Sequence, residues 1–133
     1  MTFTRRFSHL AVALLAATCL AGPAHAVDWT ATTNGDWFVA GNWSAAPPNA
    51  TDAAADFVAD LTTDLTVNLD APATVGDISF DDPDNSHSYI ITGPNTLTVN
   101  VSGSSAVVNV DSGTANEIAV DLDMGSDELF VAP

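Results

Sequence analysis

From residue 61 onward, apolar and polar residues alternate with period two in short runs, and this alternation limits the chain more than any other feature. Leu65, Val67 and Leu69 alternate with Thr66, Asn68 and Asp70. Ile78 and Phe80, Tyr89 and Ile91, and Leu97, Val99 and Val101 repeat the pattern. So do Val108 and Val110, then Ile118, Val120 and Leu122, and finally Leu129 and Val131. Alternation of this kind sends one set of side chains into a core and the other into water, the signature of a β-strand. Turn formers separate the runs: Asp82-Pro83-Asp84-Asn85, Gly93-Pro94-Asn95, Asp111-Ser112-Gly113 and Met124-Gly125-Ser126. Short strands recurring roughly every ten residues leave three architectures: a sandwich, a barrel or a β-solenoid.

Two features favour the solenoid. The outward positions are Thr, Asn, Ser and Asp, which suit ladders stacked along a coil. The inward positions after Phe80 are almost all Val, Ile and Leu, as a narrow interior requires. The expected class is therefore all-β, a β-solenoid over 61–133 with its last coil incomplete. A β-sandwich, with its antiparallel sheets and long Greek-key connections, is the alternative.

The preceding stretch, 27–60, reads as an N-terminal cap rich in tryptophan. Trp29, Trp37 and Trp43 sit among the turn formers Asn34-Gly35, Gly41-Asn42 and Pro47-Pro48. Asn-Gly is a strong hairpin-turn signal. Short strands are expected around Trp29, across 37–40, and at Trp43. The stretch 50–61 admits two readings, a short helix through Ala53, Ala54 and Ala55 capped by Thr51 or Asp52, and the preferred one, a strand ending near Phe57. Large rings can cover the first coil of a stack, which otherwise exposes its core and unpaired strand edges. The competing use of Trp29, Trp37 and Trp43 is a carbohydrate-binding platform, since a flat apolar ring stacks on the apolar face of a pyranose.

The first 26 residues have the form of a secretory signal peptide. Arg5 and Arg6 precede an apolar run over 10–20, and Ala24-His25-Ala26 supplies small residues for cleavage before Val27. The apolar run is too short to span a bilayer, which takes roughly 20 such residues. Export would remove the single cysteine, Cys19, and both basic residues. All 17 acidic residues would stay. The expected location is secreted or cell-surface. A surface this acidic repels phosphate backbones and anionic lipid, so neither nucleic acid nor inserted membrane is an expected partner. The charge calls for screening by salt or bound cations.

The order of phrases along the chain resembles secreted bacterial proteins with autotransporter-associated β-strand repeats, of the kind that carry a sorting signal or a dockerin. The resembling residues are Trp29, Gly35-Asp36-Trp37, Gly41-Asn42-Trp43, Pro48-Asn49, Asp52 and Phe57. The coil phrases over 73–81, 88–93 and 95–100 follow them. The resemblance implies a right-handed β-helix-like passenger outside the cell, without catalysis, that is structural or adhesive, and so a right-handed β-solenoid. Extracellular polysaccharide is the expected partner.

One turn concentrates acidic groups: Asp81, Asp82 and Asp84, with Asn85 beside them. Calcium takes six to eight oxygen ligands from carboxylates, amides and carbonyls, and this turn offers several. Its spacing matches neither an EF-hand loop nor a glycine-rich nonapeptide repeat, and a solvated acidic turn is the simpler reading. Asp121, Asp123, Asp127 and Glu128 form a second, weaker cluster. Signals for catalysis are poor. His87 is the only histidine after the leader, and no serine lies in a nucleophile elbow.

Overall fold

Wherever apolar and polar residues alternate the chain is extended, and each extended segment lies parallel on the one a coil earlier. A computed structural model describes residues 25–111, 115–125 and 128–132. All but the last two residues of the expected leader, and Asp127, lie outside the described residues. The strands are β1 Val27–Asp28, β2 Gly35–Asp36, β3 Ala54–Phe57, β4 Leu65–Asn68 and β5 Ala73–Val75. They continue as β6 Asp77–Phe80, β7 Tyr89–Val99, β8 Ala106–Val110, β9 Glu117–Asp123 and β10 Leu129–Ala132. A 3-10 turn, Ala40–Asn42, lies between β2 and β3.

The strands form a β-solenoid with three faces. The first face runs β1-β3-β6-β8-β10. The second runs from β2 through β4 to the first half of β7 and of β9. The third joins β5 to the second halves of β7 and β9. Register partners such as Ala54 and Asp77, or Asp77 and Val107, put one coil at roughly 23 to 32 residues, within the range of stacked repeats. Every pairing between these strands is parallel, which rules out the antiparallel sandwich.

The corner between the second and third faces lies inside β7, where the register shifts between Thr92 and Thr96. The expected turn at Gly93-Pro94-Asn95 is this corner. Gly93 has φ 137°, and a Cβ there would lie 2.8 Å from the Leu69 carbonyl oxygen. Only glycine allows the chain to bend so close to the coil beneath.

The alternation expected from the sequence sets the interior. Leu65, Val67 and Leu69 are buried, as are Ile78, Phe80, Tyr89, Ile91, Leu97 and Val99. Like residues stack through the coils: Phe57 on Phe80, Val67 on Ile91, Ala73 on Leu97. One cluster runs unbroken from Trp29 to Val108, so cap and coils share a core. Each fully buried Val, Leu, Ile or Phe contributes roughly 1.5–3 kcal/mol of hydrophobic stabilisation. The last strands gain less. Leu122 and Val131 occupy inward positions yet are 38% and 57% exposed, because no described strand lies over β9 or β10.

The cap differs locally from expectation. Asn34-Gly35 is not a hairpin turn. Gly35 opens the parallel strand β2, and Asn34 Oδ1 accepts the Thr66 N–H at 2.8 Å. The expected strand over 37–40 is a turn leading into the 3-10 segment. The expected strand ending at Phe57 is β3.

Candidate functional site

The three tryptophans converge on Phe57. Trp29 and Trp43 pack edge to face with ring centroids 5.1 Å apart, and Trp37 and Trp43 do so at 5.0 Å. Phe57 lies 5.4 Å from Trp43 and stacks on Phe80 at 5.3 Å. Tyr89 closes the cluster at 5.4 Å from Phe57. The rings of Trp29, Trp37 and Trp43 are 1%, 0% and 5% exposed. A sugar platform needs an open ring face, so the reading of these tryptophans as an exposed carbohydrate site does not fit the geometry. They are the plug of the first coil.

Two of the indole N–H groups are satisfied by the cap backbone. Trp37 Nε1 donates to the Pro48 carbonyl at 3.0 Å, and Trp43 Nε1 to the Trp37 carbonyl at 2.6 Å. The indole N–H of Trp29 has no acceptor among the described residues, although it is buried. Tyr89 exchanges hydrogen bonds with the Ala59 backbone, and burial pushes the pKa of its phenol up.

The plug is accompanied by an edge closure. Trp29 N–H points inward along the sheet to the Asp56 carbonyl of β3 at 2.8 Å. Strand alternation therefore turns the backbone of Asp28 and Thr30 toward the free edge. Residues 42–44 return there antiparallel, with Trp29 bridged to Trp43. Ser44 N donates to the Asp28 carbonyl at 2.8 Å, Thr30 N to the Asn42 carbonyl at 2.8 Å, and Asp28 N to Ser44 Oγ at 2.9 Å. Asn42 also reaches the second face, where Nδ2 donates to the Asp36 carbonyl at 2.8 Å. A Cβ on Gly35 would lie 2.5 Å from that amide, so this glycine makes room for Asn42.

The acidic turn has a structural core rather than an open ring of ligands. Asp82 is 1% exposed. Its Oδ1 accepts Leu61 N at 2.8 Å, and Oδ2 accepts Ser86 N at 2.7 Å and His87 N at 2.8 Å. Burial alone would raise its pKa. The three backbone N–H groups outweigh burial and hold the carboxyl below its ordinary value. Asp84 and Asn85 are exposed, and Asn85 takes a left-handed φ of 55° as the turn closes on the Asp82 carbonyl. Asp81 is half-buried. The carboxylates that come together are Asp60, Asp82 and Asp84, within 4.8 Å of one another. Asp60 replaces Asp81 and Asn85 in this group. It belongs to the coil below and is brought in by the register of Phe57 on Phe80. A cation there would draw on exposed Asp60 and Asp84, because the oxygens of Asp82 already serve three donors.

Asp82 is one of a set. Asp64 accepts Ser88 N, Asp70 accepts Phe38 N, Asp77 accepts Val107 N, and Asp52 accepts Ser102 N. Asn34, Asn49 and Asn116 accept Thr66 N, Thr74 N and Tyr89 N. All but the Asp52–Ser102 bond, which spans 50 residues and so about two coil lengths, join one coil to its neighbour. Much of the acidic content therefore satisfies backbone donors at coil corners. The signal for it in the sequence was the recurrence of Asp and Asn at the turns, read there only as turn chemistry.

Along the outer faces, polar side chains stack in register. Asp28, Asp56, Ser79 and Asn109 form one ladder, and Asp36, Asn68 and Thr92 another. Asn68 Nδ2 donates to Asp36 Oδ1 at 2.7 Å. The pKa of Asp56 is raised, first by burial and further by the charges of Asp28 and Asp77, against an opposing hydrogen bond from Ser79.

A groove of about 110 Å³ lies beside the acidic group, lined by Ala31, Thr32, Ala59, Asp60, Leu61 and Leu65 among others. Small-molecule sites usually occupy roughly 300–1,000 Å³. Ser86 Oγ is hydrogen-bonded to His87 Nδ1. The N–H groups of both residues are taken by Asp82, so neither is available to stabilise an oxyanion beside Ser86. No helix among the described residues is long and apolar enough to cross a membrane. Comparison with known protein families, characterised proteins and solved structures finds no match.

Proposed function

We propose that this chain is a secreted or cell-surface structural protein, a non-catalytic β-solenoid whose polar faces adhere to extracellular material such as polysaccharide. The observation that carries the reading is the contrast between interior and exterior. The aromatic rings that would serve a specific ligand pocket are buried in the plug, while the outside is a set of Asp, Asn, Thr and Ser ladders. A repetitive, hydrogen-bonding surface suits broad, weak contact with a polymer better than recognition of one small molecule. Export by the leader over 1–26, and kinship with autotransporter-associated repeat proteins, belong to the same proposal.

Two measurements test it. Cell fractionation with N-terminal mass spectrometry is expected to find the chain outside the cytoplasm and beginning at Val27. Polysaccharide pull-down is expected to show salt-sensitive binding that survives Trp37→Phe. An uncut cytoplasmic chain would defeat the export reading. Binding abolished by Trp37→Phe in a folded protein would return the site to the tryptophans.

A further inference from the structure

We propose that Asn34 is a deamidation site that the fold holds shut, because Thr66 of the next coil binds both groups that must react. This goes beyond the adhesive role and does not depend on it. Asn34-Gly35 is the one Asn-Gly pair in the sequence, and it is not spent on a hairpin turn. Asparagine is thermally labile. Its side-chain amide is open to attack by the next backbone nitrogen, and a following glycine, lacking a Cβ, leaves that approach unobstructed. A base in solvent takes the Gly35 amide proton, and the nitrogen bonds to Asn34 Cγ. The C–N bond of the side-chain amide breaks, and ammonia leaves with a solvent proton. Water then opens the resulting succinimide at either carbonyl. One product is aspartate. The other is isoaspartate, in which the main chain runs through the former side chain.

Burial does not protect the pair, since Asn34 is exposed and Gly35 half-buried. Hydrogen bonding does. Asn34 Oδ1 accepts the Thr66 N–H at 2.8 Å. The register sets Gly35 opposite Val67 and Asp36 opposite Asn68, and Trp37 N donates to the Asn68 carbonyl at 2.8 Å. In a parallel ladder of that phase, the Gly35 N–H donates to the Thr66 carbonyl. One residue therefore holds the oxygen of the electrophile and the nitrogen of the nucleophile. Ring closure has to break both bonds.

The strand involved, β2, is two residues long, so it can open without the rest of the core unfolding. The reaction then reports on that opening and makes it permanent. Aspartate at this position keeps an acceptor for the Thr66 N–H but adds a charge beside Asp36. Isoaspartate adds a backbone atom ahead of β2 and moves Gly35 out of register with Val67. An opened cap that has reacted in this way does not close as before.

The test holds the full chain at mildly alkaline pH and follows each asparagine by peptide mass mapping, with isoaspartyl methylation to distinguish the products. The same measurement on the chain unfolded in urea gives the unprotected rates. Amide hydrogen exchange gives the protection of the Gly35 N–H under the folded conditions. In the unfolded chain Asn34 should react before any other asparagine. In the folded chain it should react at least about tenfold more slowly, and by the same factor that protects the Gly35 N–H, since one opening frees both. Thr66→Pro removes the N–H that holds Asn34 Oδ1 and keeps the carbonyl. With native near-UV circular dichroism, that variant should react faster than the parent. Equal folded and unfolded rates overturn the proposal, as does an unfolded chain in which another asparagine reacts first. So does a slowing that differs from the Gly35 protection, or a folded Thr66→Pro variant as slow as the parent. If Thr66→Pro does not fold, the comparison of the two factors in the parent decides.

Discussion

The indole N–H groups of the plug allow a sharp comparison between Trp29→Phe and Trp37→Phe. Both changes remove the same atoms from buried rings packed in one cluster, so their cavity and transfer costs are similar in kind. They differ in what the N–H was doing. Trp37 Nε1 donates to the Pro48 carbonyl, and Pro48 is buried. Phenylalanine leaves that acceptor unpaired, at a cost of about 1–3 kcal/mol. Trp29 Nε1 is itself the unpaired group. Its removal relieves a desolvation penalty of about the same size. Trp37→Phe should therefore be at least about 2 kcal/mol more destabilising than Trp29→Phe, summing the lower ends of the two ranges. Urea unfolding followed by far-UV circular dichroism, with equal m-values as the check on two-state behaviour, reads the difference. Equal losses for the two variants would refute the assignment of the hydrogen bonds, and with it the packing of the plug.

Other outcomes follow from the latches and the charge. Asp82→Asn keeps one carbonyl oxygen for three N–H groups, so thermal and urea unfolding should show a loss of roughly 1–3 kcal/mol. Stability should peak in mild acid, read by melting temperature against pH. The raised carboxyl of Asp56 favours folding below its unfolded pKa, and that contribution is lost as pH rises through the folded value. The lowered carboxyl of Asp82 contributes above its unfolded pKa and is lost as pH falls through the folded value. A melting temperature that only rises from pH 3 to pH 8 would contradict the Asp56 half of this argument. Calcium and magnesium at equal concentration should raise the melting temperature alike, by screening. A calcium-specific rise would show that Asp60 and Asp84 recruit enough further oxygens to hold the ion.

Period two made the strands and their inward residues legible. Leu65 to Leu69, Ile78 and Phe80, and Leu97 and Val99 point inward as the alternation requires. The strand ending at Phe57 was only half legible, because Ala53 to Ala55 suit a short helix as well, and pairing with β1 and β6 decides for the strand. Pairing direction was not, because alternation is identical in parallel and antiparallel strands. The solenoid followed from the outward Asn, Thr and Asp instead. Asn34-Gly35 misled because its hairpin signal is local, whereas the Asn34 side chain is held by Thr66 of the next coil. Asp60 was missed for a related reason. It stands far from Asp82 in sequence and meets it only through the coil register. The cap role of the tryptophans was the preferred reading, because an open first coil needs covering, but their full burial was not legible, since a ring among Gly, Asn and Asp is also compatible with an exposed platform.

The central claim, that the tryptophans plug the coil and are not a binding surface, has a direct test. The chain has three tryptophans, all in the cap, so intrinsic fluorescence reports on the cap alone. Acrylamide quenching of the folded protein should be weak, the emission blue-shifted, and both unchanged by added polysaccharide. Quenching should rise to the level of a free indole only on unfolding. Strong quenching of the native protein that polysaccharide suppresses would contradict the account and restore the tryptophans as the binding site.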